Sequence, residues 1–146
     1  MSDELGLVLD HVSLSVGNLQ RAKAFYLPAL APLGLELVGV VPADVSGTVS
    51  FAGFGIGRKG SFWLAENGRT TPSTHVCFRA DSRAAVDAFH AAGLAAGGRD
   101  NGGPGIREIY HRDYYAAFVF DPEGHNIEAV TFQPADSDDN KGGHPR

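Results

Sequence analysis

The chain has 146 residues, 43% of them hydrophobic, with 12 Lys and Arg against 17 Asp and Glu for a formal net charge of −5. This length fits one domain assembled from two halves, and the ordinary apolar share excludes collagen, coiled coil and wholesale disorder. Negative charge without a local Lys/Arg cluster argues against a nucleic-acid surface. The single cysteine, Cys77, excludes an intrachain disulfide framework, and within Val76-Cys77-Phe78 it reads as a small core residue. No secretory segment opens the chain and no apolar run is long enough to cross a bilayer, so a cytoplasmic protein without membrane contact is expected.

In chain order, residues 1–6 read as a frayed start. Leu7 to Val16 alternates and predicts a first strand. Asn18 is an N-cap for a helix from Leu19, whose apolar face is Leu19, Ala22, Phe25, Tyr26, Ala29 and Leu30. Pro28 should kink or end that helix. Strands follow near Leu35–Val41, Thr48–Phe54 and Ser61–Glu66, with a turn at Asn67-Gly68. The order then restarts. Thr74–Ala80 is a strand, and Asp81 or Ser82 caps a helix to about Ala92 with Val86, Phe89 and Leu94 on its apolar face. A long polar loop follows Gly97-Gly98, then strands near Ile106–His111, Tyr115–Phe120 and Asn126–Phe132. Residues 133–146 form an acidic, then Gly/Pro-rich tail with the composition of disorder. The glycine clusters read as turns and loops, since Gly53-Phe54-Gly55-Ile56-Gly57 lacks the phosphate-binding pattern.

The restart has a fixed offset. His11 and His75 are 64 residues apart, as are Val12/Val76, Ala24/Ala88, Phe25/Phe89, Leu30/Leu94, Gly34/Gly98 and Gly60/Gly124. Such coincidence argues for an internal duplication. The predicted class is α+β: two βαβββ repeats, about 7–66 and 73–132, forming curved sheets around a cleft with helices outside. Asp121-Pro122-Glu123-Gly124 is a turn, and Glu128 follows on a strand among apolar residues, costly unless the carboxylate is paired, exposed or metal-bound. His11 and His75 lie at matching points of the two repeats. Two imidazoles and one carboxylate would form a facial triad for a divalent metal (Fe, Ni, Co, Zn or Mn). In the aromatic and basic stretch 102–115, His111 is a candidate acid/base and Tyr115 a candidate oxyanion donor. Arg107 is a candidate carboxylate clamp, and Tyr110, Tyr114 and Trp63 are candidate pocket walls. His125, just after the turn, is expected to be exposed.

Three segments carry a resemblance to a known family. Leu9-Asp10-His11-Val12-Ser13-Leu14-Ser15-Val16 with its following helix, Thr74-His75-Val76-Cys77-Phe78, and Asp121-Pro122-Glu123-Gly124-His125-Asn126-Ile127-Glu128 resemble the vicinal oxygen chelate superfamily. This superfamily includes glyoxalase I, extradiol dioxygenases, fosfomycin resistance proteins and bleomycin-binding proteins. The resemblance covers about residues 7 to 132 and implies paired modules around a metal held by His11, His75 and Glu128, with a homodimer as the common assembly. It implies a glyoxalase-like lyase or isomerase acting on a small substrate chelated through vicinal oxygens. The alternatives are a ring-cleaving dioxygenase, a metal-free drug-sequestering protein and a structural or regulatory dimer. One position departs from the bacterial glyoxalase pattern. Where a fourth ligand, Glu or Gln, is expected, the 64-residue offset gives Leu64 and a one-residue slip gives Trp63, while Glu66 needs a two-residue shift. This weakens the assignment to the glutathione-hemithioacetal isomerase.

Overall fold

A computed structural model describes residues 9–67 and 74–135. The expected N-terminal fraying, the start of the first strand at Leu7, Gly68 of the turn and most of the C-terminal tail lie outside the described residues. Two four-stranded sheets form, each with the order anticipated for a duplicated βαβββ unit. The first holds β1 (Val12–Val16), β2 (Glu36–Val41), β3 (Ser50–Ile56) and β4 (Lys59–Glu66), side by side as β1-β4-β3-β2. The second holds β5 (His75–Arg79), β6 (Arg99–Ile106), β7 (Tyr115–Phe120) and β8 (Asn126–Thr131), side by side as β5-β8-β7-β6. In both, the first strand pairs parallel with the last and the other pairs are antiparallel.

Helix α1 (Leu19–Leu30) starts where expected, with Asn18 Oδ1 accepting from the Arg21 N–H at 2.9 Å. Pro28 does not end it. Its ring is exposed, and Ala29 and Leu30 beyond it are fully buried, so packing carries the helix on to a 3₁₀ turn, Ala31–Leu33. Gly34 closes that turn at φ 87°, a conformation that suits glycine. A short helix α2 (Ala43–Ser46), absent from the sequence expectation, bridges β2 and β3. Helix α3 (Arg83–Ala95) is capped by Ser82, whose hydroxyl accepts from the Ala85 N–H at 3.1 Å. Val86 and Phe89 are buried as foreseen, but Leu94 is partly exposed and Gly93 takes the inner position against Val119.

The clearest departure is β6. The segment expected to be a glycine-rich loop is a strand, and the strand expected at 106–111 is instead a turn region. Hydrogen bonding to β7 supports this backbone despite its low strand propensity, with breaks in register around Gly102. Gly60, expected in a loop, sits in β4, and both it and Gly53 of β3 lie beneath the Trp63 ring, which leaves no space for a Cβ.

One core serves both repeats. It runs through Leu14, Val16, Phe25, Tyr26, Phe54, Phe62 and Leu64 from the first and Val86, Phe89, Val119, Ile127 and Ala129 from the second. Phe62 and Phe78 meet edge to face at 5.1 Å across the junction. Both helices cover sheet faces that turn toward this core, so each sheet's other face is turned away from it.

The turn before β8 locks the halves together. Asp121 is 2% exposed, and its Oδ2 accepts from the Tyr26 hydroxyl of α1 at 2.6 Å, while Oδ1 accepts the Glu123 and His125 N–H groups. Burial, then the charge of Asp121, raises the Tyr26 phenol far above its ordinary pKa, so it remains a donor. Glu123 Oε2 accepts from Gly17 N–H at 2.6 Å and Asn18 N–H at 3.2 Å, and Glu66 Oε2 accepts from Leu19 N–H at 2.8 Å. Two carboxylates thus face the positive end of α1. Tyr26→Phe should strip a buried carboxylate of its donor and lower unfolding free energy by about 1–3 kcal/mol. Urea titration checks this, and an unchanged midpoint would contradict it.

Candidate functional site

Glu128 is 2% exposed in the middle of the second sheet. Its register neighbours are Cys77 on β5 and Phe118 on β7, so all three share the face turned away from the core. A buried carboxylate must be satisfied at both oxygens. Oε1 lies 2.9 Å from His75 Nε2, and Oε2 accepts the Tyr114 hydroxyl at 2.6 Å. With Glu128 ionised, the first contact requires the imidazole proton on Nε2. Burial and then the hydrogen bond to Glu128 push the Tyr114 phenol upward, which keeps it a neutral donor. Cys77, expected in the core, is exposed on this face, yet its thiol is pushed up to about 12, by desolvation of the sulfur first and by the Glu128 charge second. A thiol so shifted is a poor nucleophile at neutral pH. The arrangement is a fixed anionic floor flanked by an imidazole and a phenol, suited to accepting a proton or binding a cation.

His11 does not join them within one chain. It precedes β1, half-exposed, with Nδ1 2.7 Å from Asp10 Oδ2, in a groove lined by Phe62, Val76 and Phe78. A hydrogen bond from Lys59 and then one from His11 hold the Asp10 carboxyl below the usual range. Among the described residues, no three His, Cys, Asp or Glu side chains stand close enough together to hold a metal ion. Donors near Glu128 therefore fit a divalent ion in kind, imidazole and carboxylate, but stop at two in a single chain.

Strand register settles which residue stands opposite Glu128 in the first repeat. Cys77 pairs with Glu128, and its counterpart Ser13 pairs with Trp63. The position of the missing fourth ligand is thus Trp63, whose ring lies over Gly53 and Gly60 with Nε1 donating to Gly60 O at 3.2 Å. Leu64 is core, and Glu66 caps α1.

The remaining predicted residues separate. Tyr114, rather than Tyr115, reaches the carboxylate. Tyr115 points to the opposite face of β7, donating to Asp87 Oδ1 of α3 at 2.6 Å beneath the Arg83 guanidinium. His111 Nδ1 accepts the Asp113 N–H at 2.9 Å within the 107–114 turns, and its ring stands edge-on to Phe132. Tyr110, 63% exposed, lies 5.1 Å from the Tyr114 ring and lines a cavity of about 800 Å³ with Arg107, Phe118, Asn101 and Asn126. Arg107 is held by its own hairpin, with Nη1 donating to Gly105 O and Ala116 O and Nη2 to Gly103 O. His125, expected at the surface, is 1% exposed. Its Nδ1 accepts the Thr74 N–H at 3.1 Å and its Nε2 stands 3.2 Å from Ser15 O, so one imidazole ties β1 to the start of β5 beside His75. Only the position next to a motif turn hinted at that role; burial of the turn itself was not visible in the pattern.

The family model described as Glyoxalase/Bleomycin resistance protein/Dioxygenase superfamily matches residues 8–129. The chain belongs to this superfamily. A glyoxalase/bleomycin resistance protein from Albidiferax ferrireducens is similar at 31% identity and TM-score 0.67, over 86% of this chain and 98% of that one. The fold is also similar to glyoxalase I from Zea mays (21% identity, TM-score 0.65, 84% of this chain, 43% of that one). A lactoylglutathione lyase from Agrobacterium tumefaciens shares it as well (22%, TM-score 0.59, 86% and 93%). A search of curated proteins gave no match. Superfamily members, glyoxalase I among them, commonly use a divalent metal. No helix among the described residues is long and apolar enough to cross a membrane.

The environment of Cys77 makes a direct prediction. Iodoacetamide should label it far more slowly at pH 8 than a free cysteine, and Glu128→Gln should raise the rate by removing the adjacent charge. Mass spectrometry reads the modification, and equal rates in parent and variant would contradict the Glu128 contribution.

Proposed function

We propose that the protein is a divalent-metal-dependent lyase or isomerase of the glyoxalase type, acting as a homodimer on a small substrate chelated through vicinal oxygens. The supporting observation is the His75–Glu128 pair, two metal-competent donors 2.9 Å apart on the floor of an outward-facing sheet. His11, the third donor, occupies the matching place in the first repeat, whose outward face belongs to the other side of the core. A twofold pairing of chains would let the first sheet of one copy cover the second sheet of the other, an isologous contact repeated twice. His11 of one copy would then complete the set begun by His75 and Glu128 of the other.

When bound, the ion would polarise substrate oxygens as a Lewis acid. The chain's own residues supply the rest. Tyr114 fixes the orientation of Glu128 through Oε2 and, as a neutral phenol, can donate toward a developing negative charge. His75 presents Nε2 to the carboxylate at 2.9 Å. Phe118, Arg107 and Tyr110 line the open cavity beside that floor.

A second reading is a metal-free binding protein of the same fold. It is favoured by one specific feature: Tyr114 and His75 already satisfy both Glu128 oxygens within a single chain, while Trp63 fills the fourth position.

Metal analysis of untagged protein prepared without chelators distinguishes the two. The dimeric metalloenzyme predicts about one transition ion per chain, lost in both His11→Ala and Glu128→Ala. Tyr114→Phe should weaken metal affinity by about 10- to 100-fold. Parent protein that stays metal-poor after reconstitution would overturn the metalloenzyme and leave ligand sequestration.

A further inference from the structure

The Arg107 guanidinium is built into the wall of the cavity beside Glu128 in an unusual way. Its end-on fork, one of the two edges that could clamp a carboxylate, is closed. Nη1 donates to Gly105 O at 2.8 Å and Ala116 O at 2.9 Å, and Nη2 donates to Gly103 O at 2.9 Å. The glycines of β6 make this seat possible. A Cβ on Gly102 would come within 2.9 Å of Nη2, and Gly102 itself has φ 144°. The guanidinium carbon stands over the Phe118 ring, 5.3 Å from its centroid. Arg107 is only half-buried and lines the cavity together with Phe118, so a ligand there meets the guanidinium.

A planar cation held at its end-on edge, with an aromatic ring against it, remains available for stacking. We propose that this cavity binds an uncharged aromatic ring, stacked on Arg107 as the outer layer of a Phe118–Arg107–ligand sandwich. Its volume of about 800 Å³ suits a small organic molecule. The adjoining polar edge is an amide pair, Asn101 Nδ2 donating to Asn126 Oδ1 at 3.2 Å, which leaves an amide carbonyl and amide protons for a neutral hydrogen-bonding substituent. Glu108 on the rim and Glu128 on the neighbouring floor disfavour an anion. This preference names a substrate class for the proposed site. It depends on that proposal only for its place beside Glu128, not for any metal.

The test is calorimetric titration of the full chain with benzamide, cyclohexanecarboxamide and benzoate, on both chelator-treated and metal-reconstituted protein. Benzamide should bind roughly threefold to thirtyfold tighter than its saturated analogue, the span expected of a cation–π contact. It should also bind tighter than benzoate. Arg107→Lys keeps the charge but loses the plane, and it should abolish the ring preference. Since that variant also loses the carbonyl seat, Phe118→Leu provides a second route and should reduce the preference with β6 intact. Equal binding of ring and saturated analogue, tighter binding of benzoate, or no binding of any probe would each overturn the inference. Ring preference unchanged in protein that never takes up metal would uphold this inference while sinking the metalloenzyme proposal, so the two failures are separable.

Discussion

The structure depends on a buried polar turn. Asp121 and His125 are each nearly inaccessible, and between them they hold α1, β1 and the start of β5. Burying a carboxylate and an imidazole is unfavourable unless each is hydrogen-bonded, and here their partners come from both repeats. The turn that starts β8 is therefore also the joint between the halves. Gly124, at φ 91°, lets the chain double back so that the His125 carbonyl accepts the Asp121 N–H, which leaves the side chains free to point into the joint.

That joint decides what each sheet can do. With the helix-covered faces sharing one core, the opposite faces look outward, and the second is the one with chemistry. Glu128 is placed there by register with Cys77 and Phe118, and His75 by the strand start that His125 ties down. The first sheet presents Trp63 at the equivalent position, an aromatic surface in place of a donor. One outward face is thus a floor and the other has the character of a cover. The split of His11 from His75 and Glu128 follows from the same geometry.

Much of this was legible in the chain. The 64-residue offset located the duplication, and the apolar runs of β7 and β8 marked its best-formed strands. Capping by Asn18 and Ser82 was equally local and equally visible. What escaped notice depended on tertiary partners. β6 is a strand because β7 pairs with it and Arg107 lies along it, facts that glycine content hides. Tyr114 and Tyr115 are adjacent in sequence but point to opposite faces, and strand parity could not be assigned while the strand's first residue was uncertain. His125 looked exposed because it follows a turn, and turns are ordinarily at the surface. Symmetry set the two histidines at matching points of a cleft, yet symmetry alone does not say whether the faces that meet belong to one chain or to two.

The division of the site between two copies is the central claim, and complementation tests it most directly. Neither His11→Ala nor Glu128→Ala protein should hold metal alone. Unfolded and refolded together in equal amounts, they form mixed dimers with one intact site each, and random pairing restores about a quarter of the parental metal. Recovery in the mixture but not in either variant would establish a site shared between chains. No recovery despite demonstrated mixed dimers, with the parent protein metal-loaded, would place all the ligands in one chain and contradict the account.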